Sequence, residues 1–361
     1  MNGLSDLGNQ LYRGQKSFNI VGKHRLWYTI SALLLSLSFA VLGARGLNLG
    51  IEFKGGAEFT VPVSSPNTET VSKARAAVTD SGISASSATI VGGNKIRIQT
   101  PSLTTDESTV VSKALATALG ASEQDVKIQI VGPTWGAEVS KNAARALAVF
   151  LILVAIFMAI YFEWPMAAAG LIALAHDVVI TVGIYALSGF EVTPATVIGF
   201  LTILGYSLYD TVVVFDKVKE NTKGITAGSR LTYSDAANLA LNQTLVRSIN
   251  TSIIALLPVV SILVVGIAKL GNGTLNDLSL SLFIGMVVGT FSSIFIATPF
   301  LAQLKERQPE MKSLRKRVEN RRGKEGEFQV TDDDLHSSAI VTSAGPRQQR
   351  VKRTRSARRG R

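Results

Sequence analysis

Six runs of roughly twenty apolar residues decide what this chain can fold into. They fall near residues 26–45, 143–162, 166–187, 195–215, 248–267 and 278–302. Each is long enough to cross a hydrocarbon core of about 30 Å as a helix, and in lipid only helices and closed barrels satisfy their own backbone. The reading is a polytopic α-helical membrane protein with six transmembrane helices. Composition agrees: 47% of residues are hydrophobic and only 17% charged, less charge than soluble domains usually carry.

Lys and Arg distribute as a membrane topology requires. Arg13, Lys16, Lys23 and Arg25 precede the first run, and Lys217, Lys219, Lys223, Arg230 and Arg247 lie between the fourth and fifth. All fall on one side if both termini are cytoplasmic, which places the protein in a plasma membrane as a multi-pass chain. Residues 1–25 are then a cytoplasmic N-terminus. The first run is longer than a signal-peptide core and is read as a retained anchor. With no cysteine in the chain, disulfides, thiolate metal sites and thiol catalysis are excluded.

Residues 46–140 form the one sizeable segment outside the lipid, and the topology makes it extracytoplasmic. GIEFKGGAEFTVPV reads as a strand with a bulge or turn at Gly55–Gly56, TETVSKARAAVTDSG as a helix, and SATIVGGNKIRIQTP as a hairpin. DESTVVSKALATALG is a second helix and DVKIQIVGP a last strand. The order β-α-β-β-α-β predicts a small ferredoxin-like α+β domain. It carries no His, no Cys and no clustered carboxylates, so a binding or coupling module fits better than an enzyme.

In the cytoplasmic loop at 217–246, Ala236, Leu239, Ala240 and Leu245 line one face of a short helix, as in helices that rest on a membrane surface. Residues 305–361 hold 17 Lys+Arg against 8 Asp+Glu, a net of +9 within a whole-chain charge of +11. Such a tail is expected to be disordered and to touch anionic lipid rather than a specific nucleic acid. Residues 141–304 comprise the remaining five spans.

No phosphate-binding loop occurs, and none of the three histidines has a metal-ligand neighbour set. No cofactor is expected, and energy for any work must come from an ion gradient or a partner. Asp210 sits inside the fourth run, where a charge costs about 2.5 to 3.5 kcal/mol at mid-helix. It is either a carboxyl hydrogen-bonded between helices or an ion or proton site, with Ser207 and Tyr206 on its face one turn back. Asp177, beside His176 in the third run, is a second buried candidate. Neighbours on a helix point about 100° apart, so the two cannot both face one partner. Arg247 opens the fifth run with Asn250 one turn on; it is a snorkelling anchor or the counter-ion that Asp210 lacks. GMVVG at 285–289 permits close helix approach, and Pro258 and Pro299 are expected to kink the last two spans.

GLNLGIEFKGG after the first run, LAHD in the third, GYSLYDTVVVFDKVKEN in the fourth and TLVRSINTS in the fifth resemble the SecF side of the bacterial SecD/SecF protein-export family. That family belongs to the resistance-nodulation-division superfamily. The resemblance covers about residues 20–305. It implies an accessory membrane motor that uses the proton gradient to draw preproteins out of the SecYEG channel after the SecA ATPase has begun translocation. It further implies Asp210 as the proton carrier, Arg247 as its partner, H⁺ as coupling ion, and SecD as the six-span counterpart completing a twelve-span pair. The usual form of the first motif is GIDFKGG; Glu52 replaces its Asp here. Two other classes fit the same spans: half of a proton-driven exporter of small molecules or lipids, and a non-energised scaffold for the translocon.

Overall fold

The computed structural model describes residues 9–325 apart from 14, 86, 92 and 267–273. The first span, α1 (His24–Arg45), ends at Gly46, whose backbone N–H still bonds Leu42 O. A two-residue strand β1 (Asn48–Leu49) and one turn of helix α2 (Ile51–Lys54) follow. The expected single strand here is therefore divided: GIEFK coils, and β2 (Gly56–Pro62) begins only at the second glycine. Gly55 and Gly56 both hold positive φ. A Cβ on Gly55 would lie 2.9 Å from Pro133 Cα, and one on Gly56 2.6 Å from Thr100 O. The glycine pair thus lets two backbones meet at the base of the domain.

Next come α3 (Thr68–Asp80), β3 (Ser87–Val91), β4 (Lys95–Thr100), α4 (Thr105–Leu119) and β5 (Lys127–Val131). Capping boxes start both helices, Asn67 with Thr70 and Thr104 with Glu107, satisfying backbone donors that would otherwise be orphaned. The antiparallel sheet has the order β3-β4-β2-β5, the ferredoxin-like arrangement expected from the element order. Alternation along β2 and β4 buries Phe59, Val61, Ile96 and Ile98 against Val78, Val111 and Leu115 of the helices. Glu58, Arg97 and Gln99 therefore emerge on the sheet's other face.

The second span, α5 (Pro133–Tyr161), starts within the domain, eight residues before the expected boundary at 141. Then come α6 (Trp164–Ser188), a two-residue strand β6 (Glu191–Val192) and α7 (Pro194–Asn221). The fifth span is the far end of one continuous helix, α8 (Tyr233–Val265), with Pro258 inside it. The sixth runs as α9 (Thr274–Ser292), a π-helical segment at Ser293–Ala297, and α10 (Thr298–Glu306). The wider π turn ends directly before Pro299, which cannot donate the backbone bond an α-helix would need there. Six helices among the described residues are thus long and apolar enough to cross a membrane.

α6 and the sixth span are the most enclosed, with 56% of their apolar window buried against 11% for α1 and α5. Small residues explain the tight centre. A Cβ on Gly183 would fall 2.1 Å from Ser38 Oγ, one on Gly285 1.7 Å from Ile203 Cδ1, and one on Gly289 2.8 Å from Ser207 Cβ. The glycine pair of GMVVG seats α9 on α7.

Two expectations at the end of the bundle opposite the domain are corrected. The amphipathic helix expected to rest on the membrane surface is the start of α8, and its apolar face is covered by protein. Ala236 and Ala240 sit in the main core, while Leu241 and Leu245 pack with Leu11 and Ile20 of the N-terminal segment. Asn242 fixes that segment by accepting from Phe18 N at 2.7 Å and donating to Phe18 O at 3.0 Å. The tail expected to be disordered from 305 continues instead as α10 and a further helix, α11 (Pro309–Glu325). Met311, Leu314 and Val318, spaced along one face, bury in the same core as Leu231 and Tyr233. Arg322 pairs with Asp235 at 2.6 Å. Residues 326–361, the rest of that tail, lie outside the described residues.

Candidate functional site

α7 is fixed at its head by a capping box: Thr193 Oγ1 accepts from Thr196 N, and the Thr196 side chain accepts in return from Thr193 N. From there the helix runs unbroken past Ser207 and Asp210. The apolar residues of α7 pack inward with Leu204, Val214 and Phe215, and the same face carries Ser207, Asp210 and Thr211, all buried.

Asp210 is 4% exposed. Among the described residues its Oδ2 has no partner in hydrogen-bonding geometry, and neither has the buried Oγ of Ser248 on α8. The Ser248 hydroxyl stands near enough to act on the carboxylate as a hydrogen-bonding group without reaching bonding geometry, and the Arg247 charge acts on it as well. Yet no ion pair closes between Asp210 and Arg247 among the described residues. Arg247 is exposed, as is Asn250. They share the side of α8 that bares Ile249, Ile253, Ile254 and Leu257. The counter-ion expected for Asp210 therefore stands beside the site without engaging it.

Ser207 was expected to offer its hydroxyl to Asp210, and the structure directs it elsewhere. It donates to Asp177 Oδ2 of α6 at 2.5 Å, because α6 packs against the side of α7 that Ser207 occupies. Asp177 Oδ1 meets His176 Nδ1 at 3.3 Å. Asp177 is 2% and His176 5% exposed. The two neighbours do part company as their helical angle requires: Asp177 turns to Ser207, while His176 stacks over Phe291 of α9 with centroids 6.4 Å apart. His176 Nε2 is buried with no hydrogen-bond partner among the described residues. Tyr206, the other expected hydroxyl, packs instead beside Ile203, Val259 and Met286.

Several polar residues join this centre that the sequence reading passed over. Thr211 donates to Ser293 at 3.0 Å, Ser293 donates to Ser207 O at 3.3 Å, and Ser252 meets Thr290 at 2.8 Å. Ser293 opens the π-helical segment. Serines and threonines at helical spacing in apolar runs were the available signal. Asp210 on α7 and Asp177 and His176 on α6 put three protonatable groups on two neighbouring helices, with Asp177 joined to α7 through the Ser207 hydroxyl. Such groups are costly at membrane depth and face a bundle interior or a partner. Among the described residues no cluster of His, Cys, Asp or Glu could hold a metal ion.

A second polar group lies where the domain meets the bundle. Glu191 of β6 is held by Arg97 at 2.8 Å and by Gln99 at 2.7 Å. Gln99 also donates to Glu58 at 3.1 Å. The Glu58 carboxyl is pushed above its ordinary 4.5, mainly by burial and further by Glu191 and Glu52, against the lowering effects of Gln99 and Arg97. A raised folded-state value means the folded state binds the proton more tightly, so this group's stabilisation is present at low pH and lost as pH rises through that value. Glu58→Gln is accordingly expected to raise the unfolding temperature at pH 7 and to flatten its fall above about pH 4.5. Thermal unfolding of the detergent-solubilised chain between pH 4 and 8 measures both; an unaltered pH profile would remove Glu58 from this role.

The architecture defines a class: a six-span helical half-bundle with protonatable groups at its centre and a ferredoxin-like domain inserted between its first two spans. Comparison with known proteins narrows it. Residues 111–307 match the C-terminal family of the protein export membrane proteins SecD and SecF, and residues 40–66 match the SecD/SecF GG motif. Protein translocase subunit SecF of Streptomyces coelicolor is 45% identical across 98% of this chain and 97% of its own length. SecF of Mycobacterium tuberculosis H37Rv is 43% identical across 87% of this chain and 73% of its own. The crystal structure of SecDF from Thermus thermophilus, a translocon-associated membrane protein, superposes with a TM-score of 0.72 at 32% identity, covering 81% of this chain and 39% of that one. The chain belongs to the SecD/SecF family of protein-export membrane proteins, on its SecF branch.

Proposed function

We propose that this chain is the SecF-type accessory subunit of a bacterial Sec export machine, and that with a SecD-type partner it draws on the proton motive force to promote late steps of preprotein translocation. Family membership supports the export role. The SecDF protein in which this chain's counterpart occupies only 39% of the length supports the partner. The exposed apolar side of α8, with Arg247 and Asn250 among its residues, suits that partner's bundle, and SecYEG with SecA is the channel such a pair would serve. Both termini face the cytoplasm in this reading, since the basic flanks collect at the end opposite the domain.

The observation that carries the proton reading is Asp210: buried, on the central helix, with an oxygen that no described residue meets in hydrogen-bonding geometry. A permanently paired carboxylate would not take up a proton, and one fixed neutral would not release it. The membrane potential supplies about 2.3 kcal/mol per charge per 100 mV, comparable with one to two pKa units at about 1.4 kcal/mol each. An Asp210–Arg247 contact that forms and breaks as helices shift is matched to that energy. Asp177 and His176 on the neighbouring helix, with Ser207 of α7 donating to Asp177, then form a second polar station beside Asp210.

Preprotein import into inverted membrane vesicles, with and without an ionophore, tests the reading. The chain together with its partner is expected to add an ionophore-sensitive component to the rate. An increase that persists unchanged after the gradient is collapsed would favour the scaffold instead.

A further inference from the structure

The α+β domain is bound to the bundle by more than its two chain connections. The open face of its sheet carries Glu58, Arg97 and Gln99 side by side, and that face receives Glu191 from the loop between α6 and α7. Arg97 and Gln99 grip separate oxygens of the Glu191 carboxylate, Oε2 at 2.8 Å and Oε1 at 2.7 Å. The side chain is 10% exposed. Charge-assisted bonds of this kind are the strong ones, and removing one member of an enclosed pair leaves the other's charge uncompensated. The backbone reinforces the grip, since β1 and β6 pair in parallel and Gly50 N donates to Val192 O at 2.9 Å. Gly50 leaves room for both carboxylates: a Cβ there would lie 2.6 Å from Glu52 Oε2 and 3.1 Å from Glu191 Oε1.

Glu191 stands two residues before Thr193, the cap of α7. Thr193 also donates to Asp277 Oδ2 at the head of the sixth span, at 3.2 Å. From Thr193 to Asp210 the helix is continuous, about 26 Å at 1.5 Å per residue. A helix without a break moves as a rod, so displacement at Asp210 arrives at Glu191.

We infer that Glu191 is a positioning residue that latches the α+β domain, through Arg97 and Gln99, to the head of the helix bearing Asp210, and so delivers movement of that helix to the domain. The inference rests on the proton-driven reading above. The charged groups around the latch are Arg97, Glu58, Glu52 and Asp277, four carboxylates with Glu191 included around one guanidinium. Reversing the ion pair is therefore a sharper probe than neutralising it.

The test uses the full chain with its SecD-type partner in inverted vesicles. Arg97→Glu and Glu191→Arg are each expected to cut the ionophore-sensitive part of the import rate at least five-fold, and the double exchange to restore it to within two-fold of wild type. Hydrogen exchange at the Gly50 amide, read independently of activity, is expected to quicken at least ten-fold in either single variant and to recover in the double. Arg97→Met, which removes the cation without adding an acid, serves if a reversed variant fails to accumulate. Asp210→Asn in the same vesicles separates the two ideas. If it loses the ionophore-sensitive rate while the Arg97 and Glu191 variants keep theirs, or if Gly50 exchange is unmoved in them, the latch is wrong and the proton reading stands. If Asp210→Asn keeps that rate, the proton reading is wrong and the latch has nothing to transmit.

Discussion

Asp210→Asn is expected to abolish the gradient-dependent part of preprotein import, at least ten-fold, while the protein inserts and accumulates as wild type does. Asparagine keeps the shape of the side chain and removes the ability to cycle a proton. Burial is no obstacle, because holding a charge at mid-membrane costs about 2.5 to 3.5 kcal/mol that a neutral amide avoids. The variant is therefore predicted to be no less stable than wild type, with an unfolding temperature equal or higher, which separates loss of proton chemistry from loss of fold. Asp210→Glu keeps the acid, displaces it by one methylene, and is expected to retain part of the activity. Import by Asp210→Asn that still responds fully to an ionophore would remove this carboxylate from the mechanism and leave the chain a scaffold.

The spans and this carboxylate were legible from the sequence because both rest on strong local signals. A run of twenty apolar residues has few alternatives, and one acid within it stands out against a large transfer cost. The ferredoxin-like order was legible for a similar reason, with the hairpin SATIVGGNKIRIQTP and two helix-patterned stretches falling in sequence between strands. What the sequence hid depends on which helices become neighbours. The spacing of Ser207 and Asp210 places them on one face, but only the packing of α6 beside α7 sends the Ser207 hydroxyl to Asp177. Arg247 reads from its position as an anchor or a counter-ion, and only the family resemblance makes it the partner of Asp210; the rotation of α8 in the bundle leaves it exposed. The helix at Pro309–Glu325 was masked by its charge. Three apolar residues, Met311, Leu314 and Val318, suffice to dock it because a covering surface already exists around Leu231 and Tyr233. Arg97 and Glu191, 94 positions apart in the chain, carried no joint signal at all.

The second large effect concerns the seat of α9 on α7. Gly289→Leu would place a Cβ 2.8 Å from Ser207 Cβ and 3.4 Å from Ser207 Cα. These are atoms at the base of a side chain on a central helix, so no rotamer change can clear the overlap, and the helices must separate. Overpacking a well-filled interior costs about 1 to 3 kcal/mol. Separation here also threatens the Ser207 hydrogen bond to Asp177 and the Ser293 bond to Ser207 O; each buried polar group left unmatched adds about 1 to 3 kcal/mol. Against a total stability of about 5 to 15 kcal/mol, the sum is enough to deplete the folded protein. Gly289→Leu is expected to lower the unfolding temperature of the solubilised chain steeply, and Gly289→Ala to do so less. At Gly285 the overlap runs from Ile203 Cδ1 at 1.7 Å through Cγ1 at 2.7 Å to Cβ at 2.9 Å, so the same substitutions there are expected to be no milder than at Gly289. Thermal unfolding of the four variants, Ala and Leu at each glycine, reads the order directly. Wild-type unfolding temperatures for Gly289→Leu would mean that α9 does not rest on Ser207, and the hydroxyl links between the third, fourth and sixth spans would lose their support.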